Sequence, residues 1–201
     1  FRCIHYHNGL AHPKCFDKQN YLQEKIGYLD IETSNLSGDF GIILSYCIKS
    51  PTKLYKRVLT PQEIHEGVYD KNLLKQFCKD ILNFDRVITY YGNKFDIPFL
   101  RTRCVFWKLP FPVYSEVHHT DAYLIMKYKF NLHSKRLGVV APFFGIPAKQ
   151  HSLNPEIWFR CMSGNKKALK FVLTHNMEDV LSLEALWRKI NRFTKIGKTS
   201  I

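Results

Sequence analysis

The sequence contains no run of 18 apolar residues, and this absence excludes a hydrophobic helix that spans a membrane. It shows no secretory signal pattern, although the chain begins at Phe1 rather than at a methionine. We therefore expect a fragment of a longer chain, and a leader removed before Phe1 stays open as an alternative. No internal repeat or low-complexity segment is present, so the 201 residues favour one domain, or one domain with a small appendage.

Cysteine is too sparse and too scattered to form a disulfide framework, with six residues in the whole chain. Cys47, Cys78 and Cys104 lie inside apolar periodic stretches, where a free thiol acts as a small hydrophobic side chain. We therefore expect a reducing, intracellular and cytoplasmic setting.

Acidic residues are much fewer than basic residues. The chain has 17 Asp and Glu against 30 Lys and Arg, which gives a formal net charge of +13. This excess favours a polyanionic partner such as nucleic acid, and a merely solubilising surface is the alternative. Basic and aromatic residues alternate in segments 53–57, 101–108 and 127–130. Such segments suit single strands, because rings stack on bases while cations contact phosphates, but the same rings could belong to the core.

Hydrophobic periodicity predicts an α/β fold. Strands joined by short turns are expected over 25–32, 40–48 and 54–59, which favours an antiparallel meander, and a buried fourth strand over 86–91. Helical spacing is found over 70–82, 95–107, 121–130, 134–144, 154–162 and 166–193, the last with a bend near 174–176. This order predicts a mixed central β-sheet flanked by helices over residues 25–201, after an N-terminal Cys/His-rich segment over residues 1–24.

Two acids flank a single isoleucine near the end of the first strand. Asp30 and Glu32 share one face of that strand, because alternate side chains of a strand point the same way. Asp96 begins the helix after the fourth strand, and Asp179 follows His175 by four residues on one face of the last helix. Taken singly, Asp96 could be an ordinary helix-start residue, and the last pair an ordinary amphipathic face.

If these four carboxylates converge, their charge has to be compensated. Two carboxylates at about 4 Å repel each other by about 4 kcal/mol at an effective dielectric constant of about 20. Protonation, pairing with Lys or Arg, or binding of divalent cations could relieve this repulsion. Hard oxygen ligands suit Mg²⁺ or Mn²⁺, and two such ions about 3.5 to 4 Å apart can activate water and stabilise the leaving oxygen of a phosphodiester.

The order and spacing of these motifs resemble the DEDD exonuclease family, whose fold is RNase H-like. The resemblance covers about residues 25–192: "DIET" matches the first motif, "NKFDIPFL" the second and "HNMEDV" the third. The connecting segment "HTDAYLIMKYKF…SKRLGVVAPFFGI" is similar to that of proofreading-type exonucleases. The resemblance implies that two Mg²⁺ or Mn²⁺ ions bind to Asp30, Glu32, Asp96 and Asp179.

The third motif departs from both subfamily patterns. One subfamily has a tyrosine, three residues and the acid, whereas the other has a histidine, four residues and the acid. In this chain His175 occupies the position of the subfamily tyrosine, with three residues between it and Asp179. The spacing therefore resembles the tyrosine subfamily, and within it a group of stand-alone bacterial and phage-like exonucleases. An imidazole there can orient or deprotonate the attacking water, and its titration near neutral pH suits a general base.

The resemblance implies a 3′-to-5′ exonuclease that releases nucleoside monophosphates from the 3′ ends of single-stranded DNA or RNA. It also implies that Thr33, Asn93 and Phe95 lie near the terminal nucleotide. Asp121 matches a recurrent acid of the connecting segment, and we expect it to cap a helix. The alternatives are a catalytically silent RNase H-like module that binds nucleic acid or a partner protein, and an endonuclease or structure-specific nuclease on the same fold.

The N-terminal segment "CIHYHNGLAHPKC" concentrates possible zinc ligands. His12 and Cys15 have ligand-like spacing, and Cys3 with His5 or His7 could complete a tetrahedral site. One structural Zn²⁺ there would hold together a segment too short to have a core of its own. The spacing matches no standard zinc finger, and a polar loop is the alternative.

Overall fold

A computed structural model of the chain describes residues 24–147, 154–195, 197 and 199–201. The candidate zinc ligands lie outside these described residues, and so does most of the N-terminal segment. They are Cys3, His5, His7, His12 and Cys15.

Five strands of the described chain form one mixed sheet with the order β3-β2-β1-β4-β5. They are β1 (Ile26–Thr33), β2 (Ile43–Lys49), β3 (Leu54–Val58), β4 (Arg86–Thr89) and β5 (His118–Asp121). The first three pair antiparallel, which confirms the predicted meander, whereas β1, β4 and β5 pair parallel. Strands β2 and β3 therefore lie on one side of β1, and β4 and β5 lie on the other, so the order of the strands reverses at β1. Open α/β sheets bind ligands beyond the carboxyl ends of their strands where the strand order reverses.

Helices of the described chain flank this sheet, some in contact with its strands and others packed on a neighbouring helix. They are α1 (Pro61–His65), α2 (Lys71–Ile81), α3 (Asp96–Phe106), α4 (Ala122–Lys129), α5 (Leu137–Phe143), α6 (Pro155–Met162) and α7 (Lys166–Ile190). A short 3₁₀ helix, Asn191–Phe193, follows α7. The bend expected near 174–176 does not interrupt α7, which is one helix of 25 residues. The mixed sheet with flanking helices confirms the predicted fold class.

The sheet separates two hydrophobic clusters, and the alternation along β1 decides which cluster each side chain joins. Leu29 and Ile31 pack in the cluster that contains Phe77 of α2. Tyr28 points the other way and packs in the cluster that contains Leu183 of α7. The two acids that alternate with the leucine and isoleucine therefore share the sheet face on which α7 lies.

Two short elements, α1 and β5, had no sequence-based prediction. Helix α1 begins at a capping box, in which Glu63 N donates to Thr60 Oγ1 and Thr60 N donates to Glu63 Oε2. Strand β5 reads "HHTD", four polar residues without an apolar alternation, so periodicity alone could not identify it. Its ladder to β4 supplies the hydrogen bonds that make it a strand.

The cysteines in the described part of the chain are free and buried, as the sequence predicted for three of them. They are Cys47, Cys78, Cys104 and Cys161. The sulfur atoms of Cys78 and Cys104 lie 3.7 Å apart between α2 and α3. Among the described residues, no helix combines the length and the apolar character that crossing a bilayer requires.

Candidate active site

The candidate site begins at the carboxyl end of β1, where Asp30 and Glu32 project. Asp30 lies opposite Cys47 of β2, and Glu32 lies opposite Ser45. The pairing register shifts directly after Glu32, because Thr33 pairs with Ile43 instead of the next residue of β2, and β1 ends at Thr33. Such irregularities re-aim side chains at the edges of sheets, and here they leave both acids beside the sheet end.

Asp96 reaches β1 from the first turn of α3. Its Oδ1 accepts a hydrogen bond of 3.2 Å from Ile31 N, the amide that lies between the two strand acids. The side chain is only 3% exposed. Burial and the nearby charge of Asp30 raise the pKa of Asp96 well above its ordinary value. A further negative charge is therefore unfavourable here unless a cation compensates it.

Helix α7 brings the remaining two predicted residues to the same place. His175 Nε2 lies 3.4 Å from Asp179 Oδ2 and 3.7 Å from Glu32 Oε1. One possible ligand atom from each of these three residues lies within 4.8 Å of the other two. Carboxylate oxygens with an imidazole nitrogen are a donor set that fits a divalent cation.

Asn176 completes the contact between α7 and β1, and it was not among the residues singled out from the sequence. Its side chain is fully buried, and Nδ2 donates a hydrogen bond of 3.1 Å to Asp30 Oδ2. Its Oδ1 is buried without a hydrogen-bond partner among the described residues. Helical periodicity assigns this position to the core, and an amide in a buried stripe was the signal that could have identified it.

The side chain of Asp121 binds the backbone of the turn that leads to α3, and it caps α4 as expected. Its Oδ1 accepts hydrogen bonds from Tyr123 N at 3.0 Å and from Tyr91 N at 2.8 Å. Its Oδ2 accepts from Asn93 N at 3.1 Å. Burial raises the pKa of Asp121, and the three N–H donors oppose that shift.

The three residues predicted to lie near the nucleotide have different surroundings. Thr33 is buried, and its hydroxyl donates to Asn35 O at 2.7 Å within the loop after β1. Asn93 is exposed in the turn before α3. Phe95 is half-buried and lines a cavity of about 360 Å³ that also borders Glu32. All three lie on the segments that directly follow or precede the clustered acids.

Comparison with known proteins agrees with this architecture. A family model described as the RNase H superfamily matches residues 27–191, more than half of the chain. The chain belongs to the RNase H superfamily. It is 27% identical over 190 residues to the uncharacterized protein YprB of Bacillus subtilis (strain 168), an alignment that covers 90% of this chain and 45% of YprB.

A solved structure has the same fold as this RNase H superfamily chain. The family B DNA polymerase from the hyperthermophilic archaeon Pyrobaculum calidifontis superimposes with a TM-score of 0.68 at 20% sequence identity. The match covers 85% of this chain and 25% of the polymerase, so the chain corresponds to about a quarter of that protein. Superfamily membership supports a hydrolase that acts on nucleic acids and uses divalent metal ions.

The basic and aromatic segments of this RNase H superfamily domain differ in how accessible their side chains are to nucleic acid. In segment 101–108, Arg103 is buried, and its Nε and Nη2 each bind Asp70 at 2.8 Å. Trp107 Nε1 also donates to Asp70, at 2.7 Å, so the core alternative holds for these two residues. In segment 127–130, by contrast, the ring of Tyr128 is 69% exposed, with Lys127 Nζ 5.3 Å from its centroid.

Proposed function

We propose that the chain is a metal-dependent 3′-to-5′ exonuclease that hydrolyses phosphodiester bonds of single-stranded DNA or RNA and releases nucleoside monophosphates. The observation on which this proposal rests is the grouping of Glu32, His175 and Asp179 within 4.8 Å, beside Asp30 and Asp96. The net charge of +13 supports a polyanionic substrate, because a strongly basic domain attracts phosphates. The buried free thiols of the described residues support a reducing, cytoplasmic setting.

The metal ligands of this proposal are Asp30, Glu32, Asp96 and Asp179, and the ions are two Mg²⁺ or Mn²⁺. When bound, such ions supply a nucleophilic hydroxide and stabilise the charge of the leaving oxygen. The raised pKa of Asp96 supports the assignment, because burial and a neighbouring carboxylate disfavour its ionised form until positive charge arrives.

His175 is the general base of the proposed reaction. Its Nε2 lies between Glu32 and Asp179, at 3.7 Å and 3.4 Å from their oxygens, so the imidazole faces the carboxylate cluster. From this position it can accept a proton from the attacking water. The neighbouring carboxylates of Glu32 and Asp179 orient the ring.

The 3′ end of the nucleic-acid strand is proposed to contact the segments that flank the carboxylate cluster. Thr33, Asn93 and Phe95 lie near the terminal nucleotide in this proposal, as the family resemblance implies. Asn93 is exposed and Phe95 lines a cavity beside Glu32, so both side chains are accessible to a strand that enters there. Thr33 acts through the loop after β1, since its hydroxyl is bound to Asn35 O.

The polarity of the reaction is tested with a single-stranded oligonucleotide labelled at its 5′ end, in Mg²⁺ or Mn²⁺. We expect a descending ladder of products, because a site that holds one strand end removes one nucleotide at a time. Asp179→Asn should abolish turnover while binding of the oligonucleotide stays measurable, since the basic surface is unchanged.

Glu66→Gln is the matched control, because it removes one negative charge at an exposed position at the end of α1. It should leave the rate unchanged. Cleavage of a circular strand into internal fragments would identify an endonuclease instead. A folded Asp179→Asn variant that works at the wild-type rate would show that the metal ligands are assigned wrongly.

A further inference from the structure

Aromatic rings form a connected cluster beyond the C-terminal end of α7. Phe130, the residue that caps the end of α4, contacts Phe144 with 5.6 Å between the ring centroids and Phe193 of the 3₁₀ helix with 5.3 Å. Phe144 in turn contacts Phe143 of α5 at 5.2 Å. Phe143 is 68% exposed and Phe193 is 44% exposed. We call these four rings the distal aromatic cluster, and contiguous rings in solvent mark an interaction surface.

The segments that carry this cluster contain basic residues and no acidic residue. Residues 122–147, with α4 and α5, include four Lys or Arg residues and no Asp or Glu. Residues 185–195, with the end of α7 and the 3₁₀ helix, also include four Lys or Arg residues and no Asp or Glu. Arg188 pairs with Glu184, which directly precedes the second segment. Because acidic residues are missing from both segments, this surface attracts a polyanion.

Cations lie directly beside exposed rings on this surface. The guanidinium carbon of Arg192 lies 4.8 Å from the ring centroid of Phe193. At the end of α4, Lys127 Nζ lies 5.3 Å from the ring centroid of Tyr128, and Lys129 on the other side of this tyrosine is exposed. Rings that stack on bases, next to cations that contact phosphates, are the two parts of a site for single-stranded nucleic acid. A partner protein that covers an apolar patch would not require this excess of one charge.

The distal aromatic cluster lies on the same face of the sheet as the two strand acids, but far from them. Phe130 and Phe144 pack against the hydrophobic cluster that contains Leu183 of α7. At about 1.5 Å per residue, the part of α7 from His175 to Ile190 is about 22 Å long, so the aromatic cluster is separate from the carboxylate site. A stacked strand rises about 3.4 Å per nucleotide, so about 7 nucleotides span this distance.

We propose that the distal aromatic cluster and its neighbouring cations are a second binding site for single-stranded nucleic acid, which holds the strand upstream of its 3′ end. The site goes beyond the proposed function, and it rests on that function only for the position of the 3′ end at the carboxylates. A strand held at both places dissociates more slowly than a strand held at its end alone, because the second contact forms within the complex.

Binding to the full chain is measured by the fluorescence anisotropy of a labelled single strand of about 20 nucleotides, which is long enough to reach both places. The protein carries Asp179→Asn, so that the strand stays intact. Phe143→Ala and Phe193→Ala should each weaken binding by about 5- to 150-fold, the range for loss of one base–aromatic contact. Arg192→Gln should lower the slope of log affinity against log salt concentration by about 0.7, the value for one phosphate contact with a single strand.

Phe106→Ala and Lys75→Gln are the matched controls, one for a ring and one for a charge. Both side chains are exposed, on α3 and α2, whose buried residues belong to the hydrophobic cluster on the other side of the sheet. Phe106→Ala should leave the affinity unchanged, and Lys75→Gln should leave the salt dependence unchanged. Circular dichroism of each variant verifies that it is folded.

A circular single strand separates this proposal from the proposed exonuclease activity, because a circle has no 3′ end. The circle should still bind, and it should lose affinity in Phe143→Ala and Phe193→Ala but not in Phe106→Ala. That result would support the second site even if no linear strand were degraded. Unchanged affinity for the circle in both ring variants would overturn the site even if the chain proves to be an exonuclease, and the exposed rings would then be assigned to a partner protein.

Discussion

At the scale of single residues, Asn176 shows how α7 holds the first strand acid. Its buried Nδ2 donates a hydrogen bond to Asp30 Oδ2. A neutral amide can satisfy one oxygen without adding a positive charge that would compete with a metal ion. Asn176 is therefore a positioning residue in the proposed metal site, and it acts through Asp30.

The substitution Asn176→Ala should lower the affinity for Mn²⁺ by about 10- to 100-fold, the usual effect of losing a group that orients a ligand. The affinity is measured by titration calorimetry on folded protein, independently of turnover. Leu181→Ala, at an exposed position of the same helix, is the control and should leave the affinity unchanged. Unchanged Mn²⁺ affinity in Asn176→Ala would contradict the positioning role.

A second prediction at the scale of single residues concerns His175. His175→Ala should slow hydrolysis by about 10² to 10⁴, the range for removal of a positioned base. The wild-type rate should fall on the acidic side, because a protonated imidazole cannot accept the proton of water, and the part of this limb that comes from His175 should be absent in the variant. His175→Tyr should retain part of the activity, since the resembling subfamily has tyrosine in this register.

The control for this prediction is His133→Ala, which removes an exposed histidine from the loop between α4 and α5. Its pH–rate profile should match the wild type. The ring of His175 also lies close enough to Glu32 and Asp179 to be a metal ligand itself. A loss of Mn²⁺ affinity in His175→Ala that parallels the loss of rate would assign it that role instead of the role of base.

At the scale of secondary-structure elements, the turn between β4 and α3 sets the position of Asp96. Tyr91 has a positive φ of 71°, which is uncommon for a residue other than glycine. At Gly92 a Cβ atom would lie 2.1 Å from Thr89 Oγ1, so only glycine fits there. The backbone of this tight turn is bound by Asp121, at the junction of β5 and α4.

The substitution Asp121→Asn should destabilise this turn more than it disturbs α4. An amide oxygen can still accept from the N–H groups that Oδ1 serves, but its NH₂ group cannot accept from Asn93 N. We expect a loss of about 0.5 to 1.5 kcal/mol in the free energy of unfolding in urea, the net contribution of one partly buried hydrogen bond. The catalytic rate should fall as well, because Asp96 follows this turn.

Asp85→Asn is the matched comparison, since Asp85 accepts one backbone N–H, from Lys25, at an exposed site. Water can replace that bond, so the variant should lose well under about 1 kcal/mol. Equal losses in the two variants would mean that burial of the Asp121 contacts contributes nothing to the stability of the turn.

At the scale of the whole molecule, the excess of positive charge is distributed unevenly between surface and interior. Arg103 is paired with Asp70, and Arg86 binds Glu24 through two nitrogens, so both cations are buried and neutralised. Lys and Arg residues on the surface of the described chain, such as Lys127, supply the charge that a polyanion would meet. Binding of a single strand should therefore weaken as the salt concentration rises, as for any contact made mainly with phosphates.

A prediction for the full chain concerns zinc binding by its N-terminal segment. We expect about one zinc ion per chain, because Cys3, Cys15, His12 and either His5 or His7 can supply four ligands. Elemental analysis of protein purified without added metal measures the zinc content. A chelator should lower the melting temperature if the ion holds the segment together. Protein that contains no zinc and melts unchanged in chelator would refute the site.

The local features of this protein can be predicted from its sequence alone. Alternation along β1, the helical spacing of α2 and α7, and the helix cap at Asp121 all depend on residues within a few positions of one another. Periodicity and capping are short-range effects, so a single chain displays them directly. The order of the acidic motifs likewise predicted the RNase H-like fold, which the sheet order and the family match confirm.

Which side chains contact one another depends on long-range packing and could not be predicted from local patterns. The contact of Asp96 with Ile31 N spans 65 positions, and that of Asn176 with Asp30 spans 146. The wall that Trp158 adds to the cavity and the burial of Arg103 in a segment that looks fit for nucleic acid are also long-range results. They follow from packing of α3, α6 and α7 against the sheet, and packing depends on the shapes of whole surfaces rather than on any local pattern.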